Sequence, residues 1–348
     1  MRTGDITIVF QGAVKAYTQR DTPSFADVVK RTRRALPGAR VVVSTWEGAE
    51  VPKGIAVDEV LFSSDPGALA PLKLTDTKAN NVNRQIASTR AGMDAVRTPY
   101  AVKLRTDCFL EHAGFIDLYE SLLRRDGRST RIVTSPFFTL DTSVFERIPF
   151  HVSDWFQFAR SEVLQSYWRV PFMTAEAGAY YERYPHAEGS NVFERRFRAE
   201  YAVEQHICMH YARSLGYTVP NRLNDISTAV VESYCRFLAD EIVVLDPWQS
   251  GLVFPKYRWA NESVLQRINN VMHIDWLALS GQAALEDGEP SELANDIARR
   301  HRRKAMARWL FAASAPLHHV LFEQSGKGRF LRRQAMRAFR LLQGIARA

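Results

Sequence analysis

The first third of the chain alternates between short apolar runs and segments with helical spacing. Asp5 to Phe10 (DITIVF) is an apolar run closed by Gln11-Gly12, which predicts a strand and a turn. Phe25 to Leu36 has helical spacing and stops at Pro37-Gly38. Arg40 to Thr45 (RVVVST) and Asp58 to Phe62 (DEVLF) predict the second and third strands, and the turn cluster 63–67 follows the latter. Asn81 to Val96 predicts a helix with Ile86, Met93 and Val96 toward a sheet, and Tyr100 to Leu104 predicts the fourth strand. Strands separated by helices at this spacing imply crossover units. The expected fold class is therefore α/β, with a Rossmann-type, mostly parallel sheet and helices on both faces.

In such sheets ligands bind beyond the carboxyl ends of the strands. That rule gathers Gln11 and Gly12, then Ser44, Thr45 and Trp46, then Asp65, and finally Arg105, Thr106 and Asp107 on one edge. The middle of the chain is less regular. Strand-like runs stand at Arg131 to Thr134 and Glu241 to Leu245, a helix is predicted from Arg195 to Leu215, and aromatic residues are dense between Phe150 and Tyr184. The acidic, Gly- and Pro-containing stretch 286–292 marks a boundary, beyond which two basic helices are predicted.

Composition changes this picture in two places. The net charge is +8, but from Ile297 onward there are thirteen Lys and Arg against the single acid Glu323. The first 296 residues are left at about −4, so the basic balance belongs to the tail. Cys108, Cys208 and Cys235 show no paired spacing, which points to a reducing compartment, the cytoplasm by default. No run of eighteen apolar residues and no secretory leader is expected.

Neither G-x-G-x-x-G after the first strand nor a G-x-x-x-x-G-K-[ST] loop is present, which argues against a dinucleotide oxidoreductase or a P-loop enzyme. What remains is a strand ending in Lys103-Leu104-Arg105-Thr106-Asp107. A nucleoside diphosphate sugar needs its pyrophosphate charge neutralised as the glycosidic bond breaks. Proteins do this with carboxylate-held Mg2+ or Mn2+, or with Arg and Lys directly. Asp107 is the candidate metal ligand and Arg105 a candidate phosphate fork. Asn83 and Arg84, with Gln85, open the helix before this strand and could reach a nucleotide across the cleft, and Lys256 could close over the diphosphate from the second half.

The segments DITIVFQG, VVVSTWEG, SSDPG, NVNRQIASTRAG, TPYAVKLRTD, HVSDWFQFA and AEYAVEQH resemble the WavE lipopolysaccharide-synthesis family from about Asp5 to Lys256. The resemblance implies a GT-A-type glycosyltransferase that moves a sugar from a nucleotide-sugar donor onto a bacterial surface glycan, free or lipid-linked. The chain departs from the general GT-A pattern at Arg105, which stands where the first acid of an Asp-x-Asp motif is expected. Metal use is correspondingly open.

For the base that deprotonates an acceptor hydroxyl, Glu204 and Asp154 compete. Glu204 matches the place where inverting GT-A enzymes often present an acid, and Asp154 precedes an aromatic wall. His206 and His273 are further candidates. Trp155, Phe156, Phe158, Tyr167 and Trp168 could include a sugar platform, although apolar residues at that density usually form core. The chain then divides into a nucleotide-sugar half (1–130), an acceptor half of the same domain (131–285) and a basic amphipathic tail (293–348). In the tail Arg332, Arg333, Arg337, Arg340 and Arg347 share one helical arc, the pattern of a helix on an anionic membrane surface. Such a chain would sit in the cytoplasm, peripheral on the inner face of the inner membrane. Nucleic-acid binding is not expected, because interleaved recognition motifs are missing. Two other readings remain: a sugar-nucleotide nucleotidyltransferase, which would need a Gly- and basic-rich loop after the first strand, and a non-enzymatic membrane adaptor.

Overall fold

The computed structural model describes residues 1–14, 22–282 and 290–318, with Phe330, Gln334 and Arg337. The arc of arginines expected beyond position 330 therefore falls, but for Arg337, outside the described residues, as does most of the predicted 286–292 boundary. The first half runs β1 (Ile6–Gln11), α1 (Phe25–Ala35), β2 (Arg40–Trp46), β3 (Glu59–Ser63), α2 (Val82–Asp94), β4 (Tyr100–Arg105), β5 (Phe109–Leu110) and α3 (Gly114–Asp126). Next come β6 (Ile132–Thr134), β7 (Phe156–Arg160), α4 (Ser161–Tyr167), α5 (Ala175–Gly178), α6 (Val203–Ser214), α7 (Thr228–Asp240) and β8 (Ile242–Val244). The chain continues through α8 (Pro247–Ser250), β9 (Leu252–Val253), α9 (Arg258–Glu262), α10 (Val264–Asn269), α11 (His273–Ser280) and α12 (Pro290–Ala313).

Seven strands form one sheet in the order β3-β2-β1-β4-β7-β6-β8. The pairs β3–β2, β2–β1, β1–β4 and β6–β8 are parallel, while β7 runs antiparallel to both β4 and β6. The fold is thus α/β with a mostly parallel, mixed sheet. Order is not sequential, so the sheet is stitched together from both halves of the chain, and β5 pairs with β9 as a separate two-stranded ribbon.

Alternation along the strands assigns the two faces. On β1, Phe10 meets Phe25 of α1 edge-on at 5.5 Å. Its neighbour Val9 points the other way, toward Gly92 of α2. A Cβ added at Gly92 would stand 2.4 Å from Val9 Cγ1 and 3.0 Å from Ser44 Cβ. Glycine is therefore what lets α2 lie flat against β1 and β2. The same logic continues outward. Phe115 and Tyr119 of α3 pack on Phe158 from the α1 face, while Trp168, just after α4, reaches Gln157 on the α2 face. Helices cover both faces, and Ile6, Ile8, Val42, Val102 and Phe156 between them are fully buried.

The helix predicted from Arg195 begins only at Val203. Residues 194–196 form a single 3-10 turn instead. Its Glu194 is buried and takes both Arg147 and Asn224, while Arg196 and Arg198 exchange backbone hydrogen bonds with Leu74 and Leu72. These tertiary bonds outweigh the helical preference of the segment.

Candidate active site

The end of β4 carries a compact ionic cluster. Arg105 grips Asp107 with two parallel bonds, Nε to Oδ1 at 2.9 Å and Nη2 to Oδ2 at 2.9 Å. Lys256, from the turn after β9, donates to Asp107 Oδ2 at 3.2 Å. Tyr257 next to it accepts from Arg105 at 3.3 Å and lies flat on Trp155, with ring centroids 4.6 Å apart. Both cations also sit over the Tyr257 ring. The chain reaches this arrangement because β1 and β4 end together: Thr106 N–H donates to the Gln11 carbonyl, and Thr106 Oγ1 donates to the Ala13 carbonyl. Gly12 makes the turn at φ +122°, a conformation L side chains rarely adopt.

Burial alone would raise the Asp107 carboxyl, but the charge and hydrogen bonds of Arg105, then those of Lys256, hold it well below the usual carboxylate range. Half-burial works against the Lys256 charge, yet Asp107 and Tyr257 outweigh it and raise its pKa. These cations favour the ionised carboxylate, and both of its oxygens accept hydrogen bonds from them.

A second ionic layer lies beneath. Lys103, with no exposed surface, points away from the edge and donates to the Asp154 backbone carbonyl and, at 3.3 Å, to Asp154 Oδ2. Gln85 Nε2 donates to the same oxygen, while Asp154 Oδ1 is buried without a hydrogen-bond partner. Burial pushes the Asp154 carboxyl up, but Lys103 and Arg105 prevail and hold it below its ordinary value.

The remaining candidates divide clearly. Glu204, at the first turn of α6, faces His151 Nε2 at 3.3 Å, and His151 Nδ1 lies 2.7 Å from the Phe138 carbonyl. A carbonyl only accepts, so Nδ1 carries a proton, and Nε2 is the nitrogen turned to Glu204. Phe138 sits at φ +68°, an uncommon conformation for a bulky residue. It touches both His151 and Trp155, so a row of rings joins Glu204 to the Arg105 cluster.

Several expected donor contacts are built differently. Lys103 serves Asp154 rather than the open edge. Ser44 is buried beneath α2, donating to the Ser88 carbonyl at 2.6 Å. Asn83 spends both ends of its amide on the Met173 backbone, at 2.9 and 2.8 Å. Gln11 is nearly buried and donates to Ser88 Oγ at 3.0 Å. Thr45 is buried with its hydroxyl unpartnered. Asp65 and Arg84 pair with each other through two bonds of 2.8 and 2.7 Å on the rim, with Arg84 over Trp46. His206 and His273 bond to the Pro171 and Val244 carbonyls and read as packing histidines. Trp155, Phe156, Phe158, Tyr167 and Trp168 are all core. Beside the Lys256 turn a cavity of 950 Å³ opens among Asp27, Arg31, Phe109, Phe254, Pro255 and Arg258.

The profile of a known family, described as WavE lipopolysaccharide synthesis, matches residues 6–309, nearly the whole chain. The chain belongs to the WavE lipopolysaccharide synthesis family. That match takes in the ionic cluster, the Glu204–His151 pair and most of α12. No curated protein matches the chain. Among solved structures, a 2-C-methyl-D-erythritol 4-phosphate cytidylyltransferase from Thermus thermophilus is similar at 16% identity, covering 61% of this chain and 85% of that one with a TM-score of 0.32. The enzyme of the same name from Francisella tularensis is 10% identical over 74% of this chain and 98% of its own, with a TM-score of 0.32. An active-site mutant of LgtC is 10% identical over 46% of this chain and 59% of its own, with a TM-score of 0.30. At these scores the likenesses add nothing to the topology described above.

The metal expected at Asp107 does not fit the residues around it. Its two oxygens already accept three bonds from cations, and the position two residues earlier offers a guanidinium where a second carboxylate would be needed. Among the described residues no group of three His, Cys, Asp or Glu side chains could hold an ion. Sequence reasoning missed His151, Phe138, Tyr257 and the role of Gln85. The only local signals were the closeness of His151 to Asp154 and of Tyr257 to Lys256.

Proposed function

We propose that this WavE-family chain is a glycosyltransferase of lipopolysaccharide synthesis that binds a nucleotide-sugar donor over the end of β4. The observation that carries the reading is the convergence of Arg105 and Lys256, from opposite halves of the chain, on one ionised carboxylate. Asp107 holds both cations in place, and their remaining N–H groups face the diphosphate. As the glycosidic bond breaks, negative charge grows on the leaving phosphate. Fixed positive groups stabilise that charge more than the ground state, which is the requirement for catalysis.

Glu204 is the acceptor base in this account. It takes the proton of the attacking hydroxyl, and His151, anchored by the Phe138 carbonyl, fixes its orientation. Asp154, clamped by Lys103 and Gln85 with its other oxygen buried, supplies negative charge beneath Arg105 and does not itself touch the sugar. The acceptor is a bacterial surface glycan.

The test is transfer of labelled sugar from a panel of UDP-, GDP-, CMP- and dTDP-sugars to lipopolysaccharide core oligosaccharides. Wild-type protein should label the acceptor from one donor, and Arg105→Met should not. Release of pyrophosphate from a nucleoside triphosphate and a sugar phosphate, with no labelled acceptor, would instead identify a nucleotidyltransferase.

A further inference from the structure

The helix α12 turns two different faces to its surroundings. Inward, Lys304 donates to Asp141 at 2.5 Å and to Asp275 at 2.9 Å, and Arg300 pairs with Asp275 at 2.7 Å. Ala307 is buried beside them, and Lys304 is only 7% exposed. These ion pairs fix the rotation of the helix about its axis. At about 100° per residue from Lys304, the residues Arg299, Arg302, Met306, Trp309 and Ala313 all fall within about 40° of the opposite pole.

That outer face has an ordered composition. Past Ser291 and Asn295 come Arg299, which pairs with Asp296 at 3.1 Å, and Arg302, and then Met306, Trp309 and Ala313. Trp309 is 67% exposed, more than any other described large apolar residue, and Leu317 in the following turn is 57% exposed. A bare tryptophan beside arginines is costly in water but well placed at a headgroup boundary, where its ring meets acyl chains and its N–H stays wet. No described helix is long and apolar enough to cross a membrane.

We infer that the outer face of α12 docks on an anionic phospholipid bilayer, with Arg299 and Arg302 against the headgroups and Trp309 inserted below them. Charge favours this occupant: the chain from Ile297 onward carries thirteen basic residues against one acid. Apolar Met306 and Trp309 on the same stripe favour a bilayer over a nucleic-acid backbone, which would use only the charge. Docking is independent of what the β4 edge transfers, so either claim can fail alone.

The experiment is co-sedimentation of the full chain with vesicles of phosphatidylcholine alone and of phosphatidylcholine with phosphatidylglycerol. Binding should require the anionic lipid and weaken with salt. Each basic group at such a surface contributes about fivefold in partitioning, so Arg299→Gln with Arg302→Gln should lower it about thirtyfold. Trp309→Ala should weaken binding separately and remove a blue shift in fluorescence, while melting temperatures stay as in wild type. Equal binding by these folded variants, equal binding to neutral vesicles, or a preference for duplex DNA over vesicles would overturn the inference.

Discussion

Replacing Lys103 by methionine keeps the length of the buried stem and deletes its charge. The ammonium has no exposed surface, and its partner Asp154 is 2% exposed, with one oxygen already unpartnered. Removing it leaves a buried carboxylate facing only the Gln85 amide and the more distant Arg105. Stranding one member of such a pair costs about 3–5 kcal/mol. For 348 residues the unfolding entropy is about 0.7 kcal/mol/K, so the melting temperature should fall by about 4–7 °C at pH 7. Because Asp154 is held below its ordinary pKa in the folded state, the pair's contribution is present above about pH 4 and is lost as pH falls further. The deficit of Lys103→Met should therefore shrink in acid, where Asp154 protonates. Adding Asp154→Asn to Lys103→Met should recover part of the loss. Scanning calorimetry at pH 7 and in acid measures all three variants. A Lys103→Met protein that melts within about 1 °C of wild type at pH 7, or a deficit that ignores pH, would refute the reasoning.

Three further outcomes follow from the geometry. Glu204→Gln should lower kcat by about 10²–10⁴-fold with little change in donor affinity, as steady-state transfer kinetics can check. Burial lowers the His210 imidazole to about 4, so the unfolded chain binds more protons between about pH 4 and 6.5. Stability should then rise with pH across that window, and His210→Gln should flatten the rise in urea titrations. Gly92→Ala should reduce stability, since the new methyl would press on Val9 and Ser44 at the α2–sheet contact.

Much of the first half was legible because its strands are uniform. The runs at Ile6, Arg40, Glu59 and Tyr100 lie within a residue of the expected bounds, as β-branched runs between turn signals should. β7 was not legible. Phe156 and Phe158 face α3 while Gln157 is buried on the other face, and their short run stands inside a stretch dense in aromatic residues, which hides a five-residue strand buried on both sides. The late start of α6 was hidden for another reason, since Glu194 and Arg147 are 47 residues apart in sequence. The position of Asp107 at a strand end could be read, because strand ends need only local patterns. Its saturation by Arg105 and Lys256 could not, because Lys256 arrives from 149 residues away. Ser44 and Asn83 failed as donor contacts because spacing gives a position along the chain but not the direction a polar side chain takes once a helix lies on top of it.

Calorimetric titration of the preferred nucleotide sugar, in EDTA and in Mn2+, tests the cationic cluster most directly. Binding should be the same in both solutions. It should weaken about 10–150-fold in Lys256→Met, the equivalent of one charge-assisted hydrogen bond, and should survive in Asp107→Asn. Affinity that appears only with Mn2+ and disappears in Asp107→Asn would contradict the account and return Asp107 to the role of a metal ligand.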